Sequence, residues 1–480
     1  MEKEHNGLMK GKRVAFLTLG CKVNSYETEG MRELFLKAGA IETEFEEEAD
    51  IYIVNTCSVT NIADRKSRQM LHRAKKRGNG ALVVAAGCYA QAAGERLGEK
   101  DGVDLVVGNN RKAEIVELVE AVFRQRDTKH SHALLDIAKE QRFEELPIET
   151  VTERTRAYIK IEDGCNQFCS YCIIPYVRGR VRSRGMEEVL AEIRRLAAEG
   201  YREVVLTGIH LSSYGLDRGK DAGAGAETAS GFDAALAAGE AAEETVLPLL
   251  ALLKEVQKFP GIERIRLGSL EPRIMTEAFA AELAKLSKLC PHFHLSLQSG
   301  CDATLRRMNR KYTTAEYREA VGRLRRHFEL PAVTTDIIVG FPGETKEEFG
   351  ETIRFAKEIG FSKIHIFKYS RRAGTAADRM EAQIPEPVKA QRSAELSELE
   401  SELEEEYRRN FLGAVEPVLF EEEIRIDGKR YLTGHTTRYL KVALPVDGQY
   451  VLQPNETAAV RLSAVRIKDS VVAELAAPKG

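Results

Sequence analysis

The sequence lacks any long hydrophobic segment. No apolar run in its 480 residues approaches the roughly 18 residues that a membrane-spanning helix requires. The start of the chain, MEKEHNGLMKGKR, also lacks the apolar stretch of a secretory signal. We therefore expect a cytoplasmic protein that does not contact membranes.

Cysteine is scarce as well. Eight cysteines in a chain of this length do not predict a disulfide framework, so clustered thiols are expected to bind metal or do chemistry. An excess of basic residues is also missing, since the formal net charge is −3. Any contact with nucleic acid must then come from local basic patches and not from the overall field. The length predicts about three domains.

Three of the cysteines lie in one short loop, GCNQFCSYC, directly after a strand-like run over residues 157–161. Cys165, Cys169 and Cys172 have the spacing CxxxCxxC, so their thiolates can bind one metal centre. Structural zinc normally takes four protein ligands. A 4Fe-4S cluster on three cysteines leaves one iron free to bind a small molecule. The alternative is a zinc site whose fourth ligand lies elsewhere.

Three more cysteines follow strand-like runs in the first third of the chain. The runs cover residues 13–19, 51–54, 81–86 and 105–107 and alternate with helix-like segments, which predicts a parallel α/β sheet. Cys21, Cys57 and Cys88 each follow one of the first three runs. Because ligands of such sheets bind at the carboxyl ends of strands, these thiols can converge on one site. The alternative is three buried structural cysteines.

The central region predicts a partial barrel of six parallel strands. Its strand-like runs cover residues 157–161, 204–207, 264–267, 293–297, 333–339 and 363–367. The active site of such a barrel gathers at the carboxyl ends of the strands. Residues suited to a polar, nucleoside-bearing cofactor follow these strands, namely Thr207, Gly208, Ser269, Glu271, Gln298, Ser299 and Arg310. We expect His210, His292, His294, Cys290 and Cys301 to be structural.

Two basic stretches are candidates for contact with an anionic substrate such as RNA. One follows the cysteine loop and contains Arg178, Arg180, Arg182 and Arg184. The other is helix-like and contains Arg65, Lys66, Arg68, Arg73, Lys75, Lys76 and Arg77. Each is alternatively an ordinary solvated surface.

The end of the chain predicts a long charged helix followed by a small β-barrel. Residues 388–409 are rich in Glu, Leu and Arg, and short alternating segments follow. Candidate basic contacts in the barrel are Arg425, Lys429, Arg430, Arg438 and Lys441. An Ala- and Gly-rich insertion at 217–245 is expected to be disordered or loosely helical.

Together these motifs resemble the radical S-adenosylmethionine (SAM) methylthiotransferase family. TLGCKVNSYETE and NTCSVTNIADRKSRQ are similar to the motifs of members that act on threonylcarbamoyladenosine in tRNA. The GCQMN motif of isopentenyladenosine enzymes and the NTCGF-type motif of ribosomal-protein enzymes are both missing. LGAVEPVLFEE and GHTTRYLKVAL resemble the TRAM module, an RNA-binding barrel.

The resemblance implies two 4Fe-4S clusters. Cys165, Cys169 and Cys172 would hold the cluster that cleaves SAM, and Cys21, Cys57 and Cys88 would hold an auxiliary cluster for the sulfur. It also implies tRNA as substrate and an electron donor such as flavodoxin or ferredoxin. The expected fold class is α/β, with a methylthiotransferase N-terminal domain at 11–125, a radical SAM core at 154–385, a connecting helix at 386–412 and a TRAM-like barrel at 413–480.

Two alternatives to this function stay open. The same chemistry could act on isopentenyladenosine tRNA or on a ribosomal protein. A more distant alternative is a non-catalytic, zinc-dependent RNA-binding protein.

Overall fold

The structure is a computed structural model that describes residues 7–78, 80–98, 101–124, 130–146, 148, 155–218, 247–446 and 452–476. Its fold class is the predicted one, since a parallel α/β sheet is followed by parallel strands of a partial barrel and by a closed β-barrel. Most of the predicted insertion at 217–245 lies outside the described residues.

The N-terminal part is a six-stranded parallel sheet. Its strands are β1 Arg13–Thr18, β2 Ile41–Thr43, β3 Ile51–Thr56, β4 Leu82–Gly87, β5 Leu105–Val107 and β6 Ser131–Ala133. Its helices are α1 Lys22–Lys37, α2 Asn61–Arg77, α3 Cys88–Ala93 and α4 Ile115–Arg124. The strand order is β2-β1-β3-β4-β5-β6. Every residue of β3 and β4 is buried, as expected for central strands of a parallel sheet that is covered on both faces.

The central part consists of two three-stranded parallel sheets and one short antiparallel pair. The strands are β7 Arg156–Lys160, β8 Glu162–Asp163, β9 Arg182–Ser183, β10 Glu203–Thr207, β11 Arg264–Leu267, β12 His292–His294, β13 Ala332–Val339 and β14 Lys363–Lys368. The orders are β11-β10-β7 and β12-β13-β14, and β8 pairs with β9. Parallel bridges from Ile265 to Leu289 and from Leu270 to Leu295 join the two larger sheets into a partial barrel.

Helices separate the barrel strands as the sequence predicts. They are α5 Ile174–Val177, α6 Met186–Ala198, α7 Pro248–Val256, α8 Glu277–Ala284, α9 Asp302–Arg307, α10 Thr314–His327 and α11 Lys346–Ile359. The strand predicted at 293–297 is shorter, because the Thr335 hydroxyl interrupts its pairing. This hydroxyl accepts a hydrogen bond from Leu297 N at 2.9 Å and donates one to Leu295 O at 2.6 Å.

The C-terminal part is one long helix and a closed five-stranded barrel. The helix is α12 Glu386–Arg409, and the strands are β15 Val415–Ile426, β16 Lys429–Thr436, β17 Lys441–Pro445, β18 Thr457–Ile467 and β19 Ser470–Leu475. The strand order around the barrel is β15-β16-β17-β19-β18. None of the helices in the described part of the chain is long and apolar enough to span a membrane.

This small barrel docks on the amino-terminal side of the central strands. Arg264, the first residue of β11, donates to His435 O at 2.8 Å and to Pro417 O at 2.9 Å. Arg266 donates to the carbonyl oxygens of Thr436 and Thr437 at 2.8 Å. The C-terminal barrel therefore lies at the end of the central barrel opposite to its carboxyl-terminal strand ends.

Candidate metal and cofactor site

The first cysteine triplet lies at one edge of the N-terminal sheet. Cys21, Cys57 and Cys88 follow β1, β3 and β4, which are neighbours in the sheet. A Cβ atom at Gly20 would lie 2.8 Å from Cys57 Sγ, so this backbone passes close to the thiol. Burial raises the pKa of Cys57 to about 11, and the neighbouring Cys88 and Cys21 add to the shift. Such thiols become thiolates when a metal binds them.

Asn24 fixes the loops that carry two of these cysteines. Its amide donates to Leu19 O at 2.7 Å and to Thr56 O at 3.0 Å, which ties the residues before Cys21 and Cys57 together. The Asn24 amide oxygen accepts a hydrogen bond from Arg178 at 2.6 Å. These contacts restrict the backbone before Cys21 and Cys57, and the Cys21 thiol itself lies 4.0 Å from the Asn24 amide oxygen.

The second triplet lies in the loop after β7 and β8. Gly164, which precedes Cys165, has φ +83°, and a Cβ there would lie 1.9 Å from Arg180 O. Only glycine fits such a position. The loop is anchored by hydrogen bonds from Ser170 N to Met308 O at 3.0 Å and from Asn309 Nδ2 to Phe168 O at 2.9 Å.

Arg310 places a positive charge beside the second triplet. Its guanidinium lies 3.2 Å from Cys169 Sγ and donates to the Tyr312 hydroxyl at 2.9 Å. Burial raises the pKa of Cys172 to about 12, with Cys169 adding to the shift. Arg310 opposes this shift and therefore favours the thiolate form of Cys172.

The two triplets are close to each other, because Cys88 packs against Ile173 and Val177 in the segment that follows Cys172. Asn109 also bridges the two parts, donating to Cys88 Sγ at 3.7 Å and to Val177 O at 2.7 Å. Within the described ranges, no three His, Cys, Asp or Glu side chains are arranged to hold a single metal ion. Cysteine thiolates are the usual ligands of iron–sulfur clusters, so the donor set of each triplet fits a cluster.

The predicted cofactor residues lie beyond the barrel strands. Thr207 ends β10, and a Cβ at the following Gly208 would lie 2.7 Å from Glu162 Oε2. This carboxylate accepts a hydrogen bond from His210 N at 2.7 Å. Burial raises the pKa of Glu162 to about 8. Sequence reasoning missed Glu162, whose carboxylate fixes the His210 backbone two residues after Gly208.

The remaining predicted cofactor residues have different surroundings. Ser269 is exposed, whereas Glu271 is buried and accepts a hydrogen bond from Arg273 at 2.8 Å. Gln298 has φ +72°, an unusual conformation that its backbone bonds to β13 maintain. The Ser299 hydroxyl lies 3.2 Å from the Thr352 hydroxyl of α11, within the packed core.

Three of the four arginines after the cysteine loop do not form the predicted RNA-binding surface. Arg178, Arg182 and Arg184 are at most 4% exposed. Arg178 donates to Glu27 at 2.9 Å and to Asp163 at 3.1 Å, and Arg184 pairs with Glu192. These acidic partners make burial possible. Arg180 is partly exposed and stacks over the Phe168 ring at 4.4 Å.

Glu27 is the centre of an ion network that sequence reasoning missed. Its fully buried carboxylate contacts Lys160 at 2.8 Å, Arg178 at 2.9 Å and Lys112 at 3.1 Å. Burial alone would raise its pKa, but these three cations hold it well below the usual value. In the sequence, Glu27 reads as one of several acidic residues on a helix surface.

The basic helix α2 keeps part of its charge free. Arg73 pairs with Glu46 at 3.2 Å, and Lys75 pairs with Asp104 at 2.9 Å. Arg65, Lys66 and Lys76 are exposed, and no described carboxylate lies within 4 Å of their charges.

Several candidate contacts of the C-terminal barrel are already engaged. Arg438 donates to Glu329 O at 3.0 Å and to Leu330 O at 3.1 Å, so it attaches the barrel to the central part. Arg430 pairs with Glu423, and Lys441 pairs with Asp469 at 3.0 Å. Arg425 and Lys429 are exposed.

The histidines and the remaining cysteines are enclosed by protein. His292 stacks on Tyr439 with 5.0 Å between ring centres, and His294 lies 3.4 Å from Asp336. Burial lowers the pKa of His210 to about 3, so this imidazole is neutral. Cys290 and Cys301 are buried.

Two family models match the two cysteine-bearing regions. The Radical SAM superfamily model matches residues 159–356, which include the second triplet. A model described as uncharacterized protein family UPF0004 matches residues 13–108, which include the first triplet.

Solved structures of radical SAM enzymes are also among the matches. The methyltransferase TsrM from Kitasatospora setae, solved with cobalamin and a [4Fe-4S] cluster, has a TM-score of 0.48 and 15% identity, covering 76% of this chain and 77% of that chain. The cobalamin-dependent enzyme OxsB has a TM-score of 0.46 and 9% identity, and the match covers 82% of this chain and 57% of that chain.

Curated relatives match over nearly the whole chain. The threonylcarbamoyladenosine tRNA methylthiotransferase MtaB of Bacillus subtilis (strain 168) is 39% identical over 431 residues, which is 89% of each chain. Its Aquifex aeolicus namesake is 37% identical, with 88% and 95% covered. The tRNA-2-methylthio-N(6)-dimethylallyladenosine synthase of Carboxydothermus hydrogenoformans is 35% identical, with 89% and 92% covered. The chain therefore belongs to the radical SAM family of tRNA methylthiotransferases.

Proposed function

We propose that this protein converts N6-threonylcarbamoyladenosine beside the anticodon of tRNA to its 2-methylthio derivative. The observation that carries the proposal is the adjacency of two cysteine triplets, each at the carboxyl-terminal edge of a parallel sheet. The choice of nucleoside is supported by four relatives of 34–39% identity that are named for it.

The reaction replaces a hydrogen on carbon 2 of the adenine ring. This hydrogen has no acidity that a general base could use, so a cofactor must supply the chemistry. When bound, SAM and two 4Fe-4S clusters supply a radical and the methyl and sulfur groups. Cys165, Cys169 and Cys172 would hold the SAM-side cluster. The auxiliary cluster would be held by Cys21, Cys57 and Cys88.

The surrounding residues position these groups. Arg310 keeps a cation at Cys169 and favours the thiolate form of Cys172. Five residues at the ends of the barrel strands would contact SAM, namely Thr207, Gly208, Ser269, Glu271 and Gln298. The Ser299 hydroxyl faces Thr352 and not the strand ends, so Ser299 would support the residues that contact SAM without touching SAM itself.

We further propose an electron donor such as flavodoxin or ferredoxin, and the cytoplasm as the location, where the tRNA substrate is available. The chain must receive electrons from outside, since a cluster-based radical reaction consumes them.

A second candidate substrate is the dimethylallyl-modified adenosine. Four relatives of 33–36% identity are named for its methylthiolation. The chemistry and the cluster ligands would be the same, and only the pocket for the N6 substituent would differ. No observation favours a ribosomal protein, and membership of the radical SAM family sets aside the zinc-dependent scaffold.

The test is methylthiolation by the purified protein. The protein is first reconstituted anaerobically to about eight irons and eight sulfides per chain, as two clusters require. It is then incubated with SAM, a reductant and tRNA that carries either modified adenosine. Nucleosides are then identified by mass spectrometry. The proposal predicts 2-methylthio-N6-threonylcarbamoyladenosine. Product only on dimethylallyl tRNA would favour the second candidate, and no product on either would overturn both.

A further inference from the structure

Lys22 directs its ammonium into the central barrel. It follows Cys21 directly and is the first residue of α1. Its Nζ lies 5.8 Å from the centre of the Tyr158 ring on β7. The charged groups that act on it are Arg156 of β7, Arg266 of β11 and Glu203 of β10.

Strands on the other side of the barrel also face Lys22. Its charge acts on His292 of β12 and on His365 of β14. Side chains from strands of both three-stranded sheets therefore lie within electrostatic reach of the ammonium. Lys22 is exposed, as is Cys21, so a ligand in solvent can reach both side chains.

The Lys22 charge has no carboxylate partner among the residues that the structure describes, where none lies within 4 Å of Nζ. The neighbouring cations are engaged. Arg156 pairs with Glu203 and Glu421, and Arg266 pairs with Glu203 at 2.8 Å and binds two carbonyl oxygens of the C-terminal barrel.

One further carboxylate, Asp336 of β13, lies near this part of the barrel. It is 3.4 Å from His294, whose ring stacks on His365. Asp336 is not among the charged groups that act on Lys22, which are Arg156, Arg266 and Glu203. Together with Lys22, these groups carry more positive than negative charge and suit an anion.

We infer that Lys22 binds the carboxylate of the threonylcarbamoyl group on the adenine that is modified. The inference rests on the proposed function, which brings a nucleoside with one carboxylate on its N6 substituent close to Cys21. The ring carbon that receives sulfur must approach the cluster held in part by Cys21. Because Lys22 adjoins Cys21, neighbouring residues can hold the two ends of the modified base.

This contact also explains selectivity. A dimethylallyl group has no charge, so it would leave the Lys22 ammonium without an anionic partner. A site built around a polar partner strongly rejects an analogue that lacks it. Removing one charge-assisted hydrogen bond is expected to lower kcat/KM by about 10- to 100-fold.

The experiment is a cycle of protein and substrate changes. Wild type, Lys22→Gln and Lys22→Arg are assayed on an anticodon stem-loop RNA with threonylcarbamoyladenosine and on the same RNA with the carboxylate as a methyl ester. Lys258→Gln, an exposed lysine that pairs with Glu255, is the matched control. Rates are expressed per assembled auxiliary cluster, so that cluster loss cannot imitate lost recognition.

We expect wild type and Lys258→Gln to prefer the free carboxylate by about 10- to 100-fold, Lys22→Gln to treat both RNAs alike, and Lys22→Arg to recover most of the preference. A Lys22→Gln variant that keeps the preference, or one that loses activity equally on both RNAs, would overturn the inference. A wild type inactive on the threonylcarbamoyl RNA would instead overturn the proposed function.

Discussion

Glu27 is a single carboxylate that joins three segments of the chain. Lys112 comes from the N-terminal sheet region, Lys160 from the first barrel strand, and Arg178 from the segment after the cysteine loop. All four side chains are at most 1% exposed. The network therefore holds the two cysteine-bearing regions against each other.

Replacing Glu27 with Gln should lower the free energy of unfolding by about 3–5 kcal/mol, because it leaves buried cations without their shared anion. The measurement is urea denaturation followed by circular dichroism. Glu358→Gln, which breaks an exposed pair with Arg318, is the control and should change little. Equal stability of Glu27→Gln and wild type would contradict the role of the network.

Arg310 is expected to tune the SAM-side cluster. Its guanidinium lies 3.2 Å from Cys169 Sγ, and positive charge and hydrogen bonds at sulfur favour the reduced cluster. Arg310→Gln should therefore lower the reduction potential, on the order of tens of millivolts, and slow reductive cleavage of SAM. The measurement is a redox titration followed by electron paramagnetic resonance. An unchanged potential would show that Arg310 is only structural.

For single residues, the sequence predicts which residue types belong to the site and that they follow strands. It does not predict which residues they contact in the fold. Cys21, Cys57 and Cys88 were expected at neighbouring strand ends because sheet topology follows from local patterns. Arg178 and Arg184 look solvated in the sequence because their partners, Glu27 and Glu192, become neighbours only through the fold. A run of arginines carries no local sign of burial.

Among the elements, the cysteine loop depends on one glycine. Gly164 has φ +83°, and an added Cβ would lie 1.9 Å from Arg180 O, a backbone atom. Gly374 offers a matched comparison, since it has φ +90° but nothing within 4 Å. An alanine at either position strains the left-handed backbone, but only an alanine at position 164 also clashes with a neighbouring atom. Comparing the two substitutions therefore separates backbone strain from the clash.

Gly164→Ala should displace the loop and lower the iron content toward half of the wild-type value, because one cluster site is distorted and the other is not. Gly374→Ala should keep its iron and lose only about 1–2 kcal/mol of stability through the left-handed backbone. The measurement is the iron content of the reconstituted wild type and of both variants. Full iron content in Gly164→Ala would contradict the assignment of this loop as a cluster site.

Most barrel strands could be predicted from apolar runs, and 264–267 coincides with β11. The end of the strand predicted at 293–297 could not be predicted. β12 ends at His294, because the Thr335 side chain replaces backbone pairing beyond it. A threonine in a neighbouring strand gives no local signal of this kind.

In the whole molecule, the two ends of the central barrel have different neighbours. The C-terminal barrel covers the amino-terminal side through Arg264 and Arg266. Helix α2 is attached to the loop that follows β14, the last strand of the central barrel. Asn61 N donates to Ser370 at 3.0 Å, and Arg372 donates to Asp64 at 2.7 Å. The exposed charges of α2 therefore lie on the side of the cysteines.

A double variant, Arg65→Gln with Lys66→Gln, should weaken tRNA binding and reduce the salt dependence of log K by about 2, one for each lost phosphate contact. The measurement is an anaerobic filter-binding assay at several salt concentrations. Lys258→Gln with Lys285→Gln removes the same charge from another surface and should have no effect. An unchanged salt slope would place the tRNA contact elsewhere, with Arg425 and Lys429 of the C-terminal barrel as the next candidates.

The arrangement of the parts was only partly accessible from the sequence. A closed barrel after a long helix follows from local alternation and turn residues. Its docking site does not, because Arg156, Arg264 and Arg266 look like ordinary strand residues until the carbonyl groups and side chains that they bind are known.

The central claim is that both cysteine triplets serve methylthiolation of threonylcarbamoyladenosine in tRNA. It is tested most directly by mass spectrometry of tRNA nucleosides from a strain that lacks this gene, complemented with wild type or with either triplet changed to alanine. We predict that the 2-methylthio derivative disappears, returns with wild type and does not return with either variant, while unmodified threonylcarbamoyladenosine accumulates. An undiminished 2-methylthio derivative in the deletion strain, or its return with a triplet variant, would contradict the claim.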